Sequence, residues 1–178
     1  APVDAEDEGG DTPLNCAAGC GNLEVVCLLV AHGAAVDKPG RKGRTALFAA
    51  AVAGHVAVVR ALLSEGASLN TRDRDGRTIL HAATARGQTE VVRMLLSETI
   101  VAMVVDVGDA KGFTALHCAA EHGHAEIATL LLDEGLATID PRGGNQDTTP
   151  LILAALKGHH AVVRVLLEHG AVVDAKTV

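Results

Sequence analysis

The chain has 178 residues, 48% hydrophobic but only 1% aromatic, with a formal net charge of −7 at pH 7. That balance argues against a general affinity for nucleic acid or anionic membranes, and so little aromatic content is unusual for a single-core globule of this size. The longest apolar run, Ile100 to Val105, is too short to span a bilayer.

No basic, apolar and small-residue order near Ala1 marks a secretory leader. The chain does not begin with methionine, so a processed or excised segment is expected. Residues 1–9 form an acidic start, and Asp4, Glu6, Asp7, Glu8 and Asp11 read as a solvated tail. From residue 10 to 178 one pattern repeats five times, with bounds near 10–42, 43–75, 76–111, 112–147 and 148–178.

Each copy opens on a threonine: Thr12-Pro13-Leu14, Thr45-Ala46-Leu47, Thr78-Ile79-Leu80, Thr114-Ala115-Leu116 and Thr149-Pro150-Leu151. Successive threonines lie 33, 33, 36 and 35 residues apart. A small-residue pair follows in every copy, then a glycine at Gly21, Gly54, Gly87, Gly123 or Gly158, then a Val/Leu-rich stretch. A fixed period of this length predicts a stack of supersecondary units whose function lies on a surface along the stack.

The first copy has Asn15 after its leucine and closes on Gly33-Ala34 and Val36-Asp37; the second has Phe48 there and closes on Gly66-Ala67 and Leu69-Asn70. The third copy is the cleanest. Asp75-Gly76 signals a turn, Thr78 is placed to cap a helix, and Leu80, Ala82 and Ala83 give a flat apolar face. Gly87 is expected to end that helix in the left-handed conformation, and Glu90 to Leu96 supplies a second, amphipathic one. Thr99 replaces the closing glycine of the third copy, and Ile100 to Val105 carries three extra residues. The fourth copy is lengthened through Thr138 to Asp147, with Pro141 and Gly143-Gly144; the fifth has Ile152 after its leucine and closes on Gly170-Ala171 and Val173-Asp174. Pro13 and Pro150 fall at the first helical position, where a missing N–H does no harm.

These residues resemble the ankyrin repeat family, above all Gly76-Arg77-Thr78-Ile79-Leu80-His81-Ala82-Ala83 and Gly112-Phe113-Thr114-Ala115-Leu116-His117-Cys118-Ala119-Ala120. Asn15, Phe48 and Ile152 depart from the histidine usual in that family. The resemblance implies an all-α helix-turn-helix solenoid with short β-hairpin or loop excursions along one edge. It implies a non-enzymatic protein-interaction module or scaffold, binding through hairpin tips and inner short helices. The alternative is a regulatory segment docking within a larger multidomain protein. It also implies that Asn70 occupies a position at which some such repeats are asparaginyl-hydroxylase substrates, with Leu62 eight residues earlier. The alternative there is that Asn70 bonds the backbone of its own turn.

Chemical motifs are few. His81 and His117 belong to the repeat pattern and are expected to bond the backbone of adjacent turns. His117, His122 and His124 lack the i, i+4 pair and glutamate of zinc hydrolases, and Cys16, Cys20 and Cys27 lack a fourth ligand, so neither metal nor cofactor is expected. Gly108 to Gly112 fails the phosphate-loop order, and no nucleophile elbow is present. Cys16, Cys27 and Cys118 read as compact hydrophobes on helices, reduced in a cytoplasmic or nuclear compartment. The remaining signal is positive charge. Arg41, Lys42, Arg44, Arg72, Arg74, Arg77 and Lys111 fall at or beside hairpin tips, and Arg86 on an inner helix. With His122, and with Phe113 as an exposed aromatic anchor, they are candidate contacts for an acidic partner; solubilising charge is the alternative. The first and last copies both look interior, so the stack is expected to be cut from a longer array or to need covering at its ends, with end-to-end self-association or aggregation where they are left open.

Overall fold

Each repeat threonine starts a helix. In a computed structural model that describes residues 2–97, 105–134, 136–144 and 146–173, Thr12, Thr45, Thr78, Thr114 and Thr149 precede α1 (Pro13–Gly19), α3 (Ala46–Ala53), α5 (Ile79–Ala85), α7 (Ala115–His122) and α9 (Pro150–Lys157). All five are buried in extended backbone, as an N-cap requires. Thr12 accepts from the Asn15 amide at 3.2 Å and Thr45 from the Phe48 amide at 3.3 Å.

A glycine turns the chain after each short helix. Gly54, Gly123 and Gly158 end α3, α7 and α9 with φ of 82°, 80° and 74°, which a side chain adopts only under strain. The longer partners follow: α2 (Leu23–Ala31), α4 (Val56–Ser64), α6 (Thr89–Leu96), α8 (Ala125–Asp133) and α10 (His160–Glu168). The short helices pack in one row, α1 on α3 on α5 on α7 on α9, and the longer ones in a second row behind them.

Small residues set the spacing of the first row. Ala18, Ala51 and Ala120 are fully buried at one equivalent position and let neighbouring helices approach closely. Thr84 holds the same position in α5, where its hydroxyl is buried with no hydrogen-bond partner, a local penalty the all-alanine positions avoid. One buried aliphatic core runs from Leu14 to Ala171 through all five units.

The excursions between units are narrow hairpins. Gly40 N–H donates to Arg44 O at 2.8 Å, Asp73 N–H to Arg77 O at 3.0 Å and Asp109 N–H to Phe113 O at 2.8 Å. Adjacent tips are tied as well: Arg74 N–H donates to Lys42 O, Ala110 N–H to Asp75 O and Gly144 N–H to Lys111 O, at 2.9, 3.0 and 2.7 Å. Among the described residues, strand pairing amounts to isolated bridges such as Arg72–Thr78 and Gly143–Thr148. The all-α solenoid with hairpin excursions is therefore the observed fold.

Some expectations need correction. The acidic start is exposed but is not a loose solvated tail. Asp4 accepts the Ala35 amide at 3.1 Å, Glu6 pairs with Lys38 at 2.9 Å, and Asp11 accepts the Arg41 amide at 2.8 Å. Cys16 and Cys27 are exposed rather than buried as compact hydrophobes, Cys16 in an open hollow between α1 and α3; Cys118 is half-buried. Burial pushes the Cys118 thiol up to about 12, so it stays protonated. Thr99 and most of the Ile100 to Val105 insertion lie outside the described residues; Val105 is buried in the core.

The turn glycines differ in what surrounds them. A Cβ on Gly123 would sit 2.7 Å from the His159 ring, whereas one on Gly158 meets nothing within 4 Å. Gly158→Ala should therefore lose only the left-handed strain of about 1–2 kcal/mol, and Gly123→Ala more, because it also displaces His159. Thermal unfolding of both variants checks this; equal losses would show that His159 yields freely.

Candidate partner-binding surface

Two side-chain ladders fix the units relative to one another. The buried His81 receives the Thr78 amide on Nδ1 at 3.3 Å and donates from Nε2 to Phe113 O of the next unit at 2.7 Å. His117 repeats this with the Thr114 amide at 3.0 Å and Thr148 O at 2.8 Å. The bonds assign both rings the neutral Nε2–H tautomer. Burial lowers both pKa values below 6.5, although the backbone carbonyls they donate to pull the other way.

The departures from histidine are resolved differently in each unit. Asn15 bonds the Thr12 hydroxyl and sends its Nδ2–H to Arg44 O at 2.8 Å, so it makes the same inter-unit bond as histidine. Phe48 makes no such bond; the Arg44 guanidinium lies 5.0 Å over its ring instead. A second ladder runs beside the turn glycines. His55 Nε2, Gln88 Nε2 and His159 Nε2 donate to Gly19 O, Val52 O and Glu121 O of the preceding unit at 3.2, 3.1 and 3.0 Å.

A third ladder, of aspartates, is not apparent from the sequence. Asp4, Asp37, Asp106 and Asp140 accept the amides of Ala35, Ser68, Thr138 and Val172 at 3.1, 3.0, 2.9 and 3.0 Å. The recurring Val/Leu-then-Asp/Asn pair is its signal. Asn70 stands at the corresponding place in the second unit, exposed, with its backbone N–H donating to the Ser68 hydroxyl oxygen at 3.3 Å.

The stack thus presents the cationic candidates on a fixed frame, and it separates them. Arg44 is half-buried, paired with Asp73 at 3.4 Å and stacked on Phe48. Arg72 donates to Gly108 O of the next hairpin at 3.1 Å, a clamp between tips. Phe113 is half-buried rather than an exposed anchor: its ring lies 5.1 Å from that of His117 and against Gly143 and Gly144 of the next hairpin. Arg41, Lys42, Arg74, Arg77, Arg86 and Lys111 are exposed and make no ion pair among the described residues. His122 is exposed, bonds Cys118 O at 3.0 Å, and stacks on His124 at 6.1 Å.

These groups line neighbouring hollows. One, of about 590 Å³, lies between Arg41 and Lys42 at the tips and Cys16, Ala49 and Val52 on α1 and α3, with Cys20 just beyond α1. A cleft between the first two tips brings Arg74 beside Arg41 and Lys42. A hollow of about 500 Å³ joins Arg77, Arg86 and Lys111 to Phe113 and His122. Among the described residues no group of three or more His, Cys, Asp or Glu side chains is placed to hold a metal ion. None of the described helices is long and apolar enough to cross a membrane.

A family model described as ankyrin repeats (3 copies) matches residues 1–73, 33–106, 65–143 and 98–177, overlapping stretches that cover nearly the whole chain. Comparison with curated proteins returns no match.

The buried neutral histidines make stability depend on pH. The unfolded state takes up protons below 6.5 while His81 and His117, with lowered pKa values, resist. Their contribution is therefore complete above 6.5 and falls as pH drops toward the folded values. His169 is exposed and raised by its bond to Asp133, and opposes this weakly. Melting temperature should decline on mild acidification. The double variant His81→Asn, His117→Asn, which copies the arrangement at Asn15, should flatten that decline. An unchanged slope in the double variant would assign the effect to other groups.

Proposed function

Because the chain belongs to the ankyrin repeat family, typically a non-enzymatic interaction module, we propose that it binds an acidic protein surface along hairpin tips one to four and the inner helices. The supporting observation is the set of unpaired cations. Among the described residues Arg41, Lys42, Arg74, Arg77, Arg86 and Lys111 make no ion pair, while nearby acids are engaged by backbone amides. Asp11 accepts the Arg41 amide, Asp73 those of Asp75 and Arg77, and Asp109 those of Lys111 and Phe113. Arg60 and Arg164 also make no ion pair among the described residues, but they sit on the outer row.

In a chain of net charge −7, such a local cluster favours encounter with an acidic partner and repels a basic one. The tips are tied to one another through the backbone, so the surface is largely preformed and little ordering entropy is lost on binding. Arg44, Arg72 and Phe113 take a supporting part in this proposal, holding the tips in register. His122 lies at the rim. A cytoplasmic or nuclear setting remains part of the proposal on composition alone.

The test uses a partner captured on the immobilised wild-type chain and identified by mass spectrometry. Reversing Arg41, Lys42 and Arg74 to glutamate should slow association more than it speeds dissociation, and should flatten the salt dependence of the rate. An unchanged rate across salt concentrations would remove the strip as the recognition site.

Hydroxylation of Asn70 is proposed on the family resemblance, supported by its exposure. Leu62, eight residues earlier, is fully buried, so an enzyme that reads this leucine must first open α4. Peptide mass analysis of protein from its native source should find added oxygen on Asn70; an unmodified residue leaves it a structural part of the turn.

A further inference from the structure

The first unit carries a pair of thiols that no other unit repeats. Cys16 lies on α1 and Cys20 caps it, and the Cys20 N–H donates to Cys16 O at 3.0 Å, so helical geometry holds between them. Residues four apart on a helix share one side of it. Both cysteines are exposed, and both line the hollow of about 590 Å³ between α1, α3 and the first hairpin tip. The wall facing them, Ala49, Val52 and Ala53, belongs to the second unit, so the hollow is a feature of an internal junction of the stack. The nearest match elsewhere is Cys118 with His122, at the same two positions of the fourth unit.

The spacing decides what such a pair can do. Cβ atoms four residues apart on a helix are about 5–6 Å from each other, whereas a disulfide needs them at about 3.5–4.5 Å. Closing one would unwind the end of α1, whose Ala17 and Ala18 are buried in the core. Two metal–thiolate bonds of about 2.3 Å set in line hold their sulfurs roughly 4.6 Å apart, which this Cβ spacing allows. Burial first, and then Asp11, Asp7 and Cys20, raise the Cys16 thiol above its usual value. It is therefore a protonated ligand precursor rather than a standing nucleophile. Arg41, Lys42 and Arg44 line the same hollow, and its one carboxylate, Asp11, is engaged by the Arg41 amide. A negatively charged complex is favoured there.

We propose that Cys16 and Cys20 together bind a soft cation that accepts two ligands, Cu(I), as a bis-thiolate. Each thiol releases its proton to solvent as its S–Cu bond forms, giving a complex of charge −1 with no change of oxidation state. Thiolates select Cu(I). Zinc takes four ligands, and among the described residues no group of three or more metal-binding side chains is assembled. Cys118 and His122 do not form a second site of this kind: Cys118 is half-buried, and His122 Nδ1 is tied to Cys118 O at 3.0 Å. The inference does not depend on the acidic-partner reading, although the hollow shares Arg41 and Lys42 with it.

Anaerobic titration of the reduced full chain with the Cu(I)–bicinchoninate complex tests it, with thermal unfolding confirming that each variant keeps the fold. The wild type should withdraw one Cu(I) per chain from the chelator, and X-ray absorption of the product should show two sulfur neighbours. Cys16→Ser and Cys20→Ser should each lower the affinity by at least about 100-fold, the upper end of what losing a group that merely supports a metal ligand costs. Cys27→Ser, which removes an exposed thiol from the outer row, should leave the affinity unchanged. A wild type that binds no more tightly than either single variant overturns the proposal. So does a loss on Cys27→Ser equal to that on Cys16→Ser, which would indicate an ion shared between copies, or a count of three or more sulfur neighbours.

Discussion

No unit of this protein can bury its own faces, and every other feature follows from that constraint. A pair of short helices exposes aliphatic surface on two sides, so each pair is stable only against its neighbours. The inter-unit hydrogen bonds give that stacking one register. His81 and His117 reach a carbonyl of the next unit, Asn15 does the same with an amide, and the aspartates at 4, 37, 106 and 140 catch backbone amides 31 or 32 residues on. Each bond contributes about 1 kcal/mol, but a slipped register would leave several buried polar groups unpaired at once. The junction between the second and third units is built differently. Phe48 offers no donor there, and Arg44, paired with Asp73 and stacked on Phe48, takes its place.

The same register presents the surface. Hairpins tied tip to tip by backbone bonds cannot rearrange independently, so the cations they carry keep their spacing. Arg44 and Arg72 hold one hairpin to the next, while Arg74 and Arg77, a few residues away, point into solvent. Cations with partners hold the frame together, and those without are available to another molecule.

Local signals are readable from the residues. Thr12, Thr45, Thr78, Thr114 and Thr149 mark helix starts because capping and the first turn involve neighbours in sequence. The turn glycines mark helix ends for the same reason, and the all-α solenoid follows from their period. What depends on distant residues is not readable. Asp4 reads as part of a solvated tail because its partner, the Ala35 amide, is 31 residues away. Phe113 reads as exposed because Gly143 and Gly144, which cover it, belong to the next hairpin. Cys16 and Cys27 sit on helices rich in small apolar residues, but which helix face a neighbour covers is a property of the stack. Of the candidate contacts, residue type and tip position are legible, but the division between paired and free cations is not.

Native-state hydrogen exchange on the wild type and on His117→Ala tests the coupling of units most directly. The account predicts that losing this one side chain lowers amide protection in α7 and α8 and also in α9 and α10, because its Nε2 bond to Thr148 O crosses the junction. Loss confined to α7 and α8, with the last unit as protected as before, would contradict the claim that neighbours hold each unit in place.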